Sequence, residues 1–293
     1  MQRIRRSPSW LSGPGGSDVL AAVLAIGMAM ELAGCAGVAR QIGEINFIST
    51  EEEVQMGAKF AQEIESELEI LDDPIVTGYV DAITQDLVRH CRRQDIEYHV
   101  KIVNTEEINA FAVPGGFLYF NVGLIRAADT EAELAGVIGH EIGHVVERHS
   151  AKHLSKQLGI AMIAQLILGE NPEVWKSLVA NVLATGAMMR YSREAEREAD
   201  ADAIEEMVGA GFHPSGMVRF FEKIRELEKR TPSAVERFFA THPPTEERLG
   251  AAREAIAAMG DLTRLSNDSP EFHRIQGLLP NVPVESGGEE DRG

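Results

Sequence analysis

His140 and His144 stand four residues apart, with Glu141 directly after the first, in Gly139-His140-Glu141-Ile142-Gly143-His144. On an α-helix this spacing leaves two side chains about 40° apart around the axis and about 6 Å apart along it. Two neutral imidazoles can then converge on one point, and that donor set suits a zinc ion, Zn2+. Glu141 lies beside the metal position rather than on it, where its carboxylate can take a proton from a bound water. The pattern H-E-x-x-H therefore asks for metal-assisted hydrolysis, with His140 and His144 as ligands and Glu141 as base. Five residues with three fixed also arise by chance, and a helix can carry two satisfied histidines, so the surroundings must decide.

The element that has to position these groups is a helix. Thr130 with Glu133 reads as a capping box about two and a half turns before the motif. Leu134, Val137, Ile138, Ile142 and Val145 supply an apolar stripe at helical spacing. Gly136, Gly139 and Gly143 interrupt it, each costing about 1 kcal/mol relative to alanine in a helix interior. That penalty points to something packed very close to this helix.

Two histidines and a water leave a zinc shell one protein ligand short. The stretch from Ser192 to Asp202 offers one. Most of it has the look of a solvated, salt-bridged helix, but Glu196 and Asp200 share a face at i, i+4 and repel unless a cation lies nearby. A zinc ion would be that cation, with Glu196 as ligand and Asp200 hydrogen-bonded to a ligand histidine.

Around these two helices the chain alternates in character. Thr50 with Glu53 reads as a capping box opening a helix through about Leu71. Asp72-Asp73-Pro74 caps a second, to about Cys91. Ile96 to Val103 alternates as a strand, and Asn109 to Val113 and Phe117 to Phe120 flank the turn Pro114-Gly115-Gly116. The fold class is therefore mainly α with a small β-sheet, an α+β arrangement. Either of the last two strands is a candidate edge for pairing with an extended substrate through main-chain hydrogen bonds, or the pair is a structural hairpin. Leu154 to Leu168 and Leu178 to Met189 are apolar runs too short to span a bilayer, read as buried or covering helices.

The combination Asn109-Ala110-Phe111-Ala112, Pro114-Gly115-Gly116, His140-Glu141-x-x-His144 and Ser192-Arg193-x-x-Glu196-x-x-Ala199-Asp200 resembles the zinc metallopeptidase family that includes the CAAX prenyl endopeptidase, HtpX and BepA, over roughly Glu51 to Met259. The resemblance implies a zincin-like, mostly helical domain with a small sheet and one Zn2+. It implies Glu196 as the third ligand and Asp200 as its supporting acid. It also marks Thr241-His242-Pro243-Pro244-Thr245: His242 would either occupy the water position and hold the enzyme off, or stabilise an oxyanion. Arg248 is expected to pair with an acid near the cleft. His149, His153 and His213 are left out of the site. Neither the multiple spans of some members nor a tetratricopeptide extension is read in this sequence.

The net charge of −18 argues against a nucleic-acid partner and a basic membrane-surface helix. Arg3, Arg5 and Arg6, the apolar run Val19 to Met30 and Leu32-Ala33-Gly34-Cys35 resemble a lipoprotein leader, residues 1–34, cut before an acylated Cys35. Asp18 and Glu31 fit that reading less well; an ordinary leader, an uncleaved anchor and a mitochondrial leader are the alternatives. Residues 35–49 then form a tether, 50–265 the peptidase domain and 266–293 a disordered acidic tail. The expected setting is the bacterial periplasm, lipid-anchored to the outer membrane. The expected partners are extended or unfolded protein substrates and the membrane at Cys35. A quality-control binding protein with a latent zinc site gated by His242, and a metal-stabilised structural lipoprotein, are the rival readings.

Overall fold

The computed structural model describes residues 48–157, 175–180 and 190–280. Helix α1 (Thr50–Glu67) opens on Ser49, which exchanges hydrogen bonds with Glu52 in a full capping box. The expected Thr50–Glu53 pair lies one residue off, because Glu53 is drawn inward to the Arg93 and Arg148 guanidiniums. Helix α2 (Pro74–Val88) starts as expected on Asp73 with proline in its first turn. The first helix stops about four residues, and the second about three, short of the expected ends.

The sheet has three strands, β1 (His99–Val103), β2 (Ala110–Val113) and β3 (Phe117–Asn121), in the order β1-β3-β2. β3 pairs parallel with β1 and antiparallel with β2. Phe117 to Phe120 is thus the centre of the sheet, so this half of the edge-strand expectation is corrected; among the described residues no strand pairs with the other side of β2. After the short α3 (Val122–Ala127), helix α4 (Glu131–Val146) carries the two histidines. Thr130 caps it, but Glu133 bonds the Asp129 N–H and Lys223 rather than completing a box. Every residue from Ala132 to Val145 is buried.

Further along the chain lie α5 (Arg193–Ala210), α6 (Ser215–Arg230), α7 (Pro232–Thr241) and α8 (Glu246–Ala258). The glycines of α4 explain how the first two reach it. A Cβ on Gly143 would meet the Ala199 backbone of α5 at 2.8 Å, and one on Gly136 would meet Met217 of α6 at 2.6 Å. The main core joins α2, the sheet, α4, α5 and α6, and a smaller apolar cluster beneath α1 includes Phe60 packed edge-on to Trp175.

The chain does not end its fold at residue 265. Helix α9 (Pro270–Gln276) buries Phe272 and Ile275, and Leu279 follows them into the core. Their i, i+3, i+7 spacing outweighs the polar composition that pointed to disorder. The expectations for residues 1–47, for most of the two apolar runs and for 281–293 lie outside the described residues. Among the described residues no helix is long and apolar enough to cross a membrane.

Candidate metal centre

Helix α4 presents His140, Glu141 and His144 from one buried face, with exposures of 0%, 1% and 1%. Helix α5, let close by Gly143, places Glu196 against them. His140 Nε2 lies 3.4 Å from Glu196 Oε2, His144 Nε2 lies 3.4 Å from Glu196 Oε1, and the two Nε2 atoms are 3.1 Å apart. A fourth group arrives from the end of α7: His242 Nδ1 is 3.3 Å from His140 Nε2 and 3.2 Å from Glu196 Oε1.

These separations test whether a metal fits. Donors held at about 2.0–2.1 Å on a tetrahedron stand about 3.3–3.4 Å from one another. Three imidazole nitrogens and the two oxygens of one carboxylate, with separations of 3.1–3.4 Å between groups, are close to that edge length. Buried ring nitrogens and a carboxylate gathered this closely form a donor set that a cation would hold together. His140, His144, Glu196 and His242 together can hold a metal ion, their donor atoms all lying within 4.8 Å of one another. Glu141 stands beside the group with a buried Oε1 that has no hydrogen-bond partner, 3.5 Å from the equally unpartnered Nε2 of His242.

The groups behind these donors fix them. His140 Nδ1 sits 2.9 Å from Asp200 Oδ1. Asp200 is clamped by Arg248, whose Nε and Nη2 donate at 2.8 and 2.7 Å, and Arg248 Nη1 reaches Glu196 Oε2 at 2.6 Å. The same nitrogen donates to the Pro243 carbonyl, tying the His242 loop to the site. Arg248 thus meets the expectation for it. Tyr191 stacks on His144 with ring centroids 4.0 Å apart and bonds Ser150 through its hydroxyl.

Charge follows from this packing. Burial opposes ionising Glu196, but His242, His140 and His144 hold its carboxyl well below the usual range. Burial drives His144 well below an ordinary histidine. Against the same burial, Asp200 and Glu196 push His140 up to about 9. Burial raises Glu141 above an ordinary carboxyl.

Two features go beyond the sequence reading. His149, left out there, is buried with its Nδ1 2.9 Å from His144 Nδ1 and its Nε2 3.0 Å from Glu198 Oε2. Its only sequence signal is a histidine five residues after a ligand, which helical periodicity would place elsewhere. The unpaired side of β2 is engaged at Ala112, whose N–H donates to Glu141 and whose carbonyl accepts from Ser150.

A mainly helical domain with a three-stranded sheet, H-E-x-x-H on its buried central helix and an acid from a second helix, defines a metallopeptidase domain. The chain belongs to Peptidase family M48, whose profile matches residues 74–256. It is 29% identical over 230 residues to the beta-barrel assembly-enhancing protease of Escherichia coli K12, covering 75% of this chain and 47% of that protein. It is 34% identical over 155 residues to mitochondrial metalloendopeptidase OMA1 of Arabidopsis thaliana, covering 53% and 31%. Metalloprotease YcaL of Escherichia coli K12 is 30% identical over 162 residues, 54% of this chain and 62% of that protein. The chain spans about half the length of the first of these relatives.

Proposed function

We propose that this protein is a zinc-dependent endopeptidase that hydrolyses peptide bonds in misfolded or unassembled cell-envelope proteins. His140, His144 and Glu196 hold the ion. The observation that carries the reading is the set of donor separations, 3.1–3.4 Å, beside an unpartnered Glu141 carboxylate oxygen. Zinc bound there supplies Lewis acidity and lowers the pKa of a water. Glu141 takes the proton of the attacking water and hands it to the leaving amine. Asp200, braced by Arg248, orients His140. The unpaired side of β2 is the candidate rail for an extended substrate, and its use requires Ala112 to give up its bonds to Glu141 and Ser150.

His242 sits where a water or substrate oxygen would have to enter, so the resting form is latent. The same contact favours a second reading, a binding protein for unfolded envelope proteins whose site stays closed. The residue pattern before Cys35 supports lipid anchoring, and the bacterial beta-barrel assembly-enhancing protease among the relatives supports a setting in the cell envelope.

The experiment is hydrolysis of an unfolded outer-membrane protein by the full chain, beside Glu141→Gln and His242→Ala, with zinc content measured on each. Zinc in all three, with cleavage by the wild type or by His242→Ala and none by Glu141→Gln, is the expected result. Zinc without cleavage in any form favours the binding protein. A chain that takes up no zinc overturns both readings.

A further inference from the structure

We propose that His149 and Glu198 form a positioning relay that fixes which nitrogen of His144 faces the metal. The inference rests on the metal-centre reading. In an unbroken helix a residue five positions on lies about 140° around the axis, so His149 would point away from His144. Helix α4 instead ends at Val146. Arg148 takes a φ of 57°, in the left-handed region that residues with a Cβ avoid, and the chain re-enters helix over 149–157. The Arg148 guanidinium holds this break through Glu53 Oε2 and the Ile48 carbonyl, each at 2.6 Å. The turn brings His149 back against the ligand it would otherwise miss.

The proton positions follow from the far end of the relay. The Glu198 carboxylate can only accept, so the proton in its 3.0 Å contact sits on His149 Nε2. A neutral imidazole carries one N–H, which makes His149 Nδ1 an acceptor. His144 Nδ1, 2.9 Å away, must then donate. That leaves His144 Nε2 as a bare lone pair, aimed at His140 Nε2 and Glu196 Oε1. Asp200 serves His140 directly from a carboxylate; for His144 the carboxylate acts through one more ring. Glu147 lies near the pair, but Arg92 and Lys152 hold it. His149 is a positioning residue and touches no reacting atom.

Two measurements on the full chain test the relay. Long-range 1H–15N correlation with 15N-labelled histidine reads the tautomers before and after zinc is added. The expected pattern is a proton on Nδ1 of His144 and on Nε2 of His149 in both states. A metal-free His144 protonated on Nε2, or zinc bound through its Nδ1, overturns the proposal. Zinc affinity by chelator competition is the second readout. His149→Leu loses about 10–100-fold. His149→Asn, whose Oδ1 can stand in for the accepting Nδ1, recovers to within a few-fold, while the metal-free melting temperatures of both stay together. Equal affinity in all three chains, or equal loss in both variants, overturns it. A wild type that takes up no zinc sinks the metal-centre reading itself, and the metal-free tautomers then decide the relay.

Discussion

Of the i, i+4 acid pairs on helix α5, two are buried at both members, Glu196 with Asp200 and Asp202 with Glu206. Around the first pair stand His140, His144, His242 and Arg248, and both carboxyls are held below their usual range despite burial. Around the second pair the nearby cation is Arg92, on Asp202 at 2.6 Å. Burial raises both of those carboxyls, Glu206 well above normal, and each leaves one oxygen without a hydrogen-bond partner. An i, i+4 acid pair therefore does not by itself mark a metal site. What sets the first pair apart is the convergence of three histidines on it.

The sharpest way to break this comparison is to neutralise one acid from each pair. Glu196→Gln is expected to lose stoichiometric zinc and all hydrolysis, while Asp202→Asn keeps both; chelator competition and a cleavage assay report on each. Equal zinc loss from the two variants would mean the pairs are not different in kind. Asp200→Asn should fall between them, with zinc affinity down by about 10–100-fold and the fold intact by circular dichroism.

A smaller effect tests why the first pair reaches the histidines at all. At Gly143 an added Cβ meets Ala199 backbone atoms at 2.8 Å, whereas at Gly250 of α8 it meets nothing within 4 Å. Gly143→Ala should destabilise by about 1–3 kcal/mol, since the backbone it meets cannot swing aside, and should weaken zinc binding. Gly250→Ala should stabilise by about 0.5–1 kcal/mol. Denaturant melts measure both, and a neutral Gly143→Ala would show that α5 is free to shift.

The smallest expected effect is a pH dependence at the second pair. Burial, with Asp202 adding to it, raises Glu206, so across the window above ~4.3 the folded chain keeps a proton that the unfolded chain has lost. Stability therefore falls as pH rises from the unfolded value through the folded one. Glu206→Gln should flatten that decline and raise the melting temperature at neutral pH relative to wild type. A steeper decline in the variant would show Glu206 to be stabilising as a charge.

Much of the centre is legible in the sequence. His140, Glu141 and His144, and Glu196 with Asp200, each sit within about one turn of a helix, where spacing along the chain is spacing in space. The glycines of α4 announce a close neighbour without saying which. His149 escapes such reasoning because helical periodicity fails at Arg148, a residue type that gives no warning of a left-handed φ. Composition misleads for the tail, although Phe272, Ile275 and Leu279 stand at helical intervals.

By itself the sequence determined helices α1, α2, α4 and α5, the caps at Asp73 and Thr130, the donor types and a mainly α fold with a small sheet, all of which depend on neighbours a few residues apart. Only the tertiary structure decided that β3 is central, that Ala199 meets Gly143, that Arg248 binds both Asp200 and Glu196, and that His242 closes on His140 across 102 residues. These are choices among many chemically equivalent partners. Packing makes them, because which side chains can meet is set by how closely helices cross and where each chain break turns.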